Sequence, residues 1–242
     1  MDAIRIENLT KRYKDVNAVD RLYLSVKKGE LLGLLGVNGA GKTTTIKMLS
    51  CLTVPDEGDA FLLGNSIRSS TAEVKKVIAV SPQETAVAPG LSVRENLELM
   101  WGVQGFSREK REARIAELTA LLGLQSVMDR KTGKLSGGWQ RRLSIAMALV
   151  SQPKILFLDE PTLGLDVLAR AELWELIRSL KGKITIILTT HYMEEAEALS
   201  DRIAIMASGR LLKCDTAEKI KSDTNANTLE EAFIRTIRGA GL

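Results

Sequence analysis

The chain has 242 residues, 45% of them hydrophobic and 26% charged, which suits one globular domain or two closely packed lobes and argues against disorder. Lys and Arg total 34 against 30 acids, and the resulting formal charge of +4 is too mild to choose among a nucleotide, a membrane face and a nucleic acid. Cys51 and Cys214 lie far apart without C-x-x-C spacing, so they support neither a zinc site nor a disulfide framework and read as small buried apolar residues.

The start, Met1-Asp2-Ala3-Ile4-Arg5, has charges where a signal peptide needs an apolar run. No apolar stretch approaches the ~18–20 residues of a membrane span, so a cytosolic chain is expected. Ile4 and Ile6 alternate with polar residues, as do Leu22, Leu24 and Val26, which predicts two half-buried strands. Residues 31–35 are denser in apolar side chains and predict a fully buried strand.

That strand feeds into Gly36-Val37-Asn38-Gly39-Ala40-Gly41-Lys42-Thr43, the pattern G-x-x-x-x-G-K-[ST]. Its glycines let backbone N–H groups turn inward around phosphates, Lys42 follows the terminal phosphates, and Thr43 offers a hydroxyl to magnesium. The helix expected over 42–50 adds its positive dipole end. Pro55-Asp56-Glu57-Gly58 then breaks the pattern before strands at 60–63 and 77–80, the latter running into Ser81-Pro82-Gln83.

From about 93 to 150 the period is helical, with Ile115, Leu118, Leu121 and Leu122 on one face and Gly123 as a stop. This predicts a helical lobe inserted into an α/β sheet. Within it, Leu135-Ser136-Gly137-Gly138-Trp139-Gln140-Arg141 precedes an Ala- and Leu-rich helix, whose start leaves N–H groups unpaired and forms a second anion site; Ser136 also suits a plain N-cap. Two phosphate-binding helix starts exceed what one nucleotide needs from one subunit. A head-to-tail, two-fold pair resolves this, the cradle of one chain facing the Ser-Gly-Gly of the other.

After Gln152-Pro153 the α/β alternation resumes with a strand at 155–158, a helix at 168–180, a strand at 184–188 and a short helix at 193–199. A hairpin over 203–214 turns at Ser208-Gly209, and amphipathic helices at 216–221 and 228–237 finish the chain. The first of these strands ends in Asp159-Glu160, at the sheet end where open α/β sheets bind ligands. Adjacent acids on an extended chain point opposite ways and can take separate tasks: Asp159 can hold magnesium through water and Glu160 can orient or deprotonate an attacking water, while the run by itself also suits a strand ending in a solvated acidic turn.

With these motifs in order, the chain resembles the nucleotide-binding subunit of an ATP-binding-cassette (ABC) transporter, from about Asn8 to the C-terminal helices. Gly36 to Thr43 resembles the Walker A loop, residues 155–160 the Walker B strand, and residues 135–140 the signature motif. The resemblance implies a P-loop NTPase fold with a RecA-like core sheet, an antiparallel β subdomain and an inserted α-helical subdomain. One ABC ATPase domain is then expected, with its core in 1–83 and 153–215, the helical subdomain in 84–152 and a helical extension in 216–242. It implies ATP and Mg²⁺ as cofactors. Glu160, His191 and Gln83 are expected in catalysis, and Thr43, Gln83 and Asp159 at the metal. Tyr13, Gly36, Asn38, Gly39, Ala40, Gly41, Lys42, Thr43, Thr44, Ser136, Gly137, Gly138 and Asp166 are expected to bind nucleotide, with Tyr13 stacking on adenine.

Trp139 and Leu163 depart from the residues usual in the family and bear on contacts across a dimer. The resemblance further implies a homodimer, or a pair with a similar ATPase subunit, sandwiching two ATP. It implies a separate integral-membrane permease docked near Gln83 and residues 84–101, a place at the cytoplasmic face of the membrane, and no nucleic acid. Residues 191–197 and 228–233 most resemble bacterial exporters of drugs, sodium or polysaccharide. A DNA-repair ATPase would need a long heptad insertion or zinc-binding cysteine pairs, and a translation factor a second cassette. A regulatory module that closes on ATP without turnover is disfavoured by the Asp159-Glu160 pair.

Overall fold

The computed structural model describes residues 1–241. In chain order it begins with strands β1 (Asp2–Tyr13), β2 (Val16–Lys27) and β3 (Leu31–Leu35), helix α1 (Lys42–Leu49), strands β4 (Glu57–Leu62) and β5 (Asn65–Ser66), helix α2 (Thr71–Val77) and strand β6 (Ile78–Ser81). Helices α3 (Val93–Val103), α4 (Arg111–Leu122) and α5 (Gly137–Leu149) follow. The chain returns through β7 (Ile155–Asp159), α6 (Val167–Leu180), β8 (Thr185–Thr190), α7 (Met193–Leu199), β9 (Arg202–Ala207), β10 (Arg210–Asp215), α8 (Ala217–Asp223) and α9 (Leu229–Gly239).

The strands form two sheets. One is antiparallel in the order β2-β1-β4-β5; the other runs β10-β9-β3-β8-β7-β6, parallel except for the β9–β10 hairpin. β1 and β2 are longer than their alternation suggested, because register shifts near Leu9 and Lys11 interrupt the period without ending the pairing. The parallel strands β3, β7 and β8 are buried at every position, as continuous apolar runs require.

Alternation along each buried strand divides the core. Ile155, Phe157 and Ile187 face a cluster shared with the antiparallel sheet, including Ile4, Leu22 and Leu62. Leu156, Leu158, Ile186 and Leu188 face the helical lobe, where they join Leu118, Leu143 and Ile177. A third cluster seats Phe233 and Ile220 of the last two helices against Ile203 and Ile205 of β9.

Gly123 closes α4 in the left-handed conformation (φ 64°), as its position implies. On that helix Ile115, Leu118 and Leu122 are buried, whereas Leu121, expected on the same face, is exposed: it falls at the edge of the stripe. Both cysteines are only partly buried. Cys214 lies on β10, at the edge of its sheet, and Cys51 follows α1 with a left-handed φ of 57°. Four loops at the carboxyl ends of β3, β6, β7 and β8 thus open on one rim.

Candidate active site

β3 delivers the chain to Gly36, whose N–H donates to the Thr190 carbonyl at the end of neighbouring β8. Residues 36–41 then turn back into α1. Two of the glycines have no substitute. Gly41 has φ 102°, and a Cβ there would meet the Ala18 carbonyl oxygen at 2.4 Å; a Cβ on Gly36 would meet the Met206 carbonyl oxygen at 2.5 Å. The result is a cavity of about 410 Å³, lined by residues 38–44 with Val16, Ala18, Gln83 and Glu160. A wider cleft of about 620 Å³ beside Tyr23 holds one carboxylate, Asp20, already paired with Arg210 at 2.8 Å.

Lys42 is buried along the cradle. Its Nζ donates to the carbonyls of Gly36 (2.7 Å) and Val37 (3.3 Å) and lies 3.5 Å from Glu160 Oε1. The other carboxylate oxygen, Glu160 Oε2, is 2.8 Å from His191 Nδ1. Both oxygens of Glu160 are therefore engaged, one by the cradle and one by the loop after β8. Glu160 itself has φ 47°, a left-handed value uncommon for a residue with a side chain. Its N–H is held by the Thr189 carbonyl and hydroxyl, which over-determine that conformation.

Asp159 turns the opposite way. Its Oδ1 accepts from Thr43 Oγ1 at 3.3 Å and from Thr189 Oγ1, the residue directly across the β7–β8 ladder. One hydroxyl and one carboxylate oxygen this close are the sparse protein donor set that magnesium takes when phosphate and water complete its shell. Among the described residues no cluster of three His, Cys, Asp or Glu offers a complete metal cage.

The remaining expected residues stand around the cavity. Gln83 lines it, and Tyr13 is half-exposed at the end of β1, paired in the strand register with Val16 of the lining, with Lys11 Nζ 5.5 Å from its ring. Ser136 is an exposed N-cap on α5 whose hydroxyl makes no capping bond, and Gly137 beside it is exposed. Together with Gly138 they lie outside the lining of their own chain's cavity. Asp166 is likewise outside it, accepting from Ala169 N at 2.9 Å as the N-cap of α6.

Sequence reasoning assigned no part to Arg141, Thr189 or Glu195. Arg141 is buried on α5 and donates to the carbonyls of Pro82 (2.6 Å) and Gln83, clamping the loop that carries Gln83. Burial pushes its guanidinium pKa down, and Asp159 and Glu195 pull it back up. An arginine in register with Ser144, Ile145 and Ala148 on the inner face of a helix was the available signal.

The ABC transporter family profile matches residues 19–163. The chain is 42% identical over 228 residues to the daunorubicin/doxorubicin resistance ATP-binding protein DrrA of Streptomyces peucetius, covering 94% of this chain and 69% of that protein. It is 47% identical over 209 residues to the Nod factor export ATP-binding protein I of Burkholderia orbicola (strain AU 1054), covering 86% and 68%. A solved dimer of an ATP-binding cassette in a post-hydrolysis state, bound to ADP and Pi, is 28% identical, covers 88% of this chain and 98% of its own, and superposes with a TM-score of 0.78. ATP-binding subunits of ABC transporters form dimers and pair with membrane permeases. The chain belongs to the ABC transporter family, as its ATP-binding and ATP-hydrolysing subunit.

Proposed function

We propose that two copies of this chain, or this chain and a similar ATPase subunit, close head to tail over two Mg-ATP at the cytoplasmic face of a membrane and drive export through a separate integral-membrane permease. The observation that carries this reading is Glu160, held between Lys42 and His191 at the mouth of a cavity whose backbone is shaped for phosphate. No helix among the described residues is long and apolar enough to cross a membrane. Export is supported by the drug-resistance and Nod factor export relatives. The helical lobe, 84–152, with the segment 84–101 beside Gln83, is the permease-facing part in this reading.

Phosphoryl transfer to water asks mainly for positioning and charge neutralisation. The N–H groups of 36–43 and the start of α1 receive the phosphates. Lys42 exchanges its carbonyl and carboxylate partners for phosphate oxygens, which frees Glu160 Oε1 to accept a proton from the attacking water. His191 keeps Oε2 through Nδ1 and leaves Nε2 free to face the γ-phosphate. Thr43 and Asp159, with Gln83 of the same cavity lining, would hold a magnesium ion, which would neutralise phosphate charge. Tyr13 provides an aromatic face for adenine. Ser136 and Gly137, exposed at the start of α5 with an uncommitted serine hydroxyl, complete the site of the partner copy together with the half-buried Gly138, and Asp166 approaches it across the two-fold.

Glu160→Gln tests the base directly. Phosphate release should fall at least about a hundredfold, the scale of general-base catalysis, while ATP binding persists and the variant elutes with ATP as a dimer. A variant that hydrolyses at the parental rate overturns the assignment.

A further inference from the structure

Glu195 on α7 is fully buried, yet it is a carboxyl that touches neither the cavity nor an ion-pair partner. Its Oε1 accepts from Trp174 Nε1 of α6 at 3.1 Å. Its Oε2 has no hydrogen-bond partner among the described residues, and neither do two neighbouring buried groups, Thr162 Oγ1 and Arg170 Nε. Buried polar atoms are normally paired, so an unpaired carboxylate oxygen in the core, on a residue that ties α7 to α6, calls for a role other than packing. Burial raises the pKa of Glu195, and the nearby hydroxyls of Thr190 and Thr162, then Trp174 and Arg170, draw it back down.

These neighbours are the flanks of the catalytic pair. Thr190 immediately precedes His191, and its Oγ1 accepts from Tyr192 N at 3.0 Å, pinning the turn that carries the histidine. Thr162 lies two residues beyond Glu160. Arg170 stacks over the Tyr192 ring at 5.4 Å, and that ring lies 4.1 Å from the His191 ring. Trp174 and Arg170 belong to the helix capped by Asp166.

We propose that Glu195 is a positioning residue for ATP hydrolysis: through Trp174 it ties the start of α7, and with it the turn that carries His191 and Tyr192, to α6, and so holds His191 against Glu160. The proposal rests on the reading of Glu160 as the base. Displacing that turn lengthens the 2.8 Å contact between Glu160 and His191 without altering the cradle, so the expected signature is a loss of kcat with little change in KM.

The test is steady-state ATP hydrolysis by the full chain, with thermal melts as a control for folding. Glu195→Ala should lower kcat by about tenfold or more while KM moves less than about threefold, and Glu195→Gln, which keeps the acceptor for Trp174, should recover most of that loss. A folded Glu195→Ala chain with kcat within about twofold of the parent, or with kcat and KM equally impaired, overturns the proposal. So does a glutamine variant no better than alanine. If Glu195→Ala does not fold, Trp174→Phe, which keeps an aromatic ring and deletes the donor to Glu195, decides: reduced kcat at unchanged KM supports the role, and parental kcat removes it. Glu160→Gln run alongside separates the two claims. Its normal turnover refutes the base, whereas its inactivity beside an unaffected Glu195→Ala refutes only the positioning role.

Discussion

Arg141→Met is the substitution that most sharply separates a packing arginine from a structural clamp. The methionine keeps the aliphatic stem inside α5, where Arg141 is 4% exposed, and deletes only the guanidinium that bridges Pro82 and Gln83. A hydrogen bond to a charged group contributes about 1.5–3 kcal/mol, so two are worth about 3–6 kcal/mol. Removing a buried cation also removes its desolvation cost, which reduces the expected net loss to about 2–4 kcal/mol. For a chain of this length each kcal/mol moves Tm by about 2–4 °C, giving a drop of about 5–15 °C. Arg141→Lys should fall between parent and methionine, because one ammonium cannot serve both carbonyls in the fork geometry of arginine. Turnover should fall as well, since the clamped loop carries Gln83 at the cavity. Thermal unfolding followed by circular dichroism, with phosphate release in parallel, measures both. A methionine variant within about 1 kcal/mol of the parent and with parental kcat refutes the clamp, because no other group among the described residues bonds those two carbonyls.

Mixed dimers test the shared site: Lys42→Ala and Ser136→Ala chains are each expected to lose turnover alone, and mixing them should restore one intact site per heterodimer. Mixtures no more active than either parent variant count against the head-to-tail arrangement. The cap of α3 gives a pH prediction. Ser92 N donates to Glu95 Oε2 at 2.6 Å, and this bond, followed by Lys131 at 3.1 Å, holds the Glu95 carboxyl down to about 2 from a reference of 4.5. A depressed carboxylate stabilises the fold above its unfolded pKa and loses that contribution as pH falls through the folded one. The Tm gap between parent and Glu95→Gln should therefore be widest above about pH 5 and narrow from 4.5 toward 2; a gap independent of pH sinks the assignment.

The cradle and the Asp159-Glu160 strand were legible because local sequence dictates them. Gly41 must adopt φ 102° against the Ala18 carbonyl, and residues 155–158 are apolar because both faces of β7 are covered. Helix α2 escaped the reading: of its seven residues only Val74 is buried, too little to impose a period. Leu121 was placed inside because it is apolar, but a stripe through 115, 118 and 122 leaves no room for it. The partners of Arg141 and Glu195 are hidden from the sequence for a different reason. They lie 58 and 21 residues away in sequence, so the roles of the two residues arise only when β6 meets α5 and α6 meets α7.

The geometry of α5 supports the proposal that each chain carries half a site. A helix start with an exposed serine that does not cap it leaves a hydroxyl and first-turn N–H groups unspent, an arrangement that is costly to bury and cheap to offer to an anion. It does not line the cavity of its own chain, so any phosphate it meets must come from elsewhere. One turn further along, Arg141 of the same helix grips the loop of Gln83, which does line that cavity. A single rigid element therefore touches the nucleotide chemistry of its own chain at one turn and is open to a second molecule at the turn before. Closure of two such chains satisfies both ends together, whereas a monomer can satisfy only one.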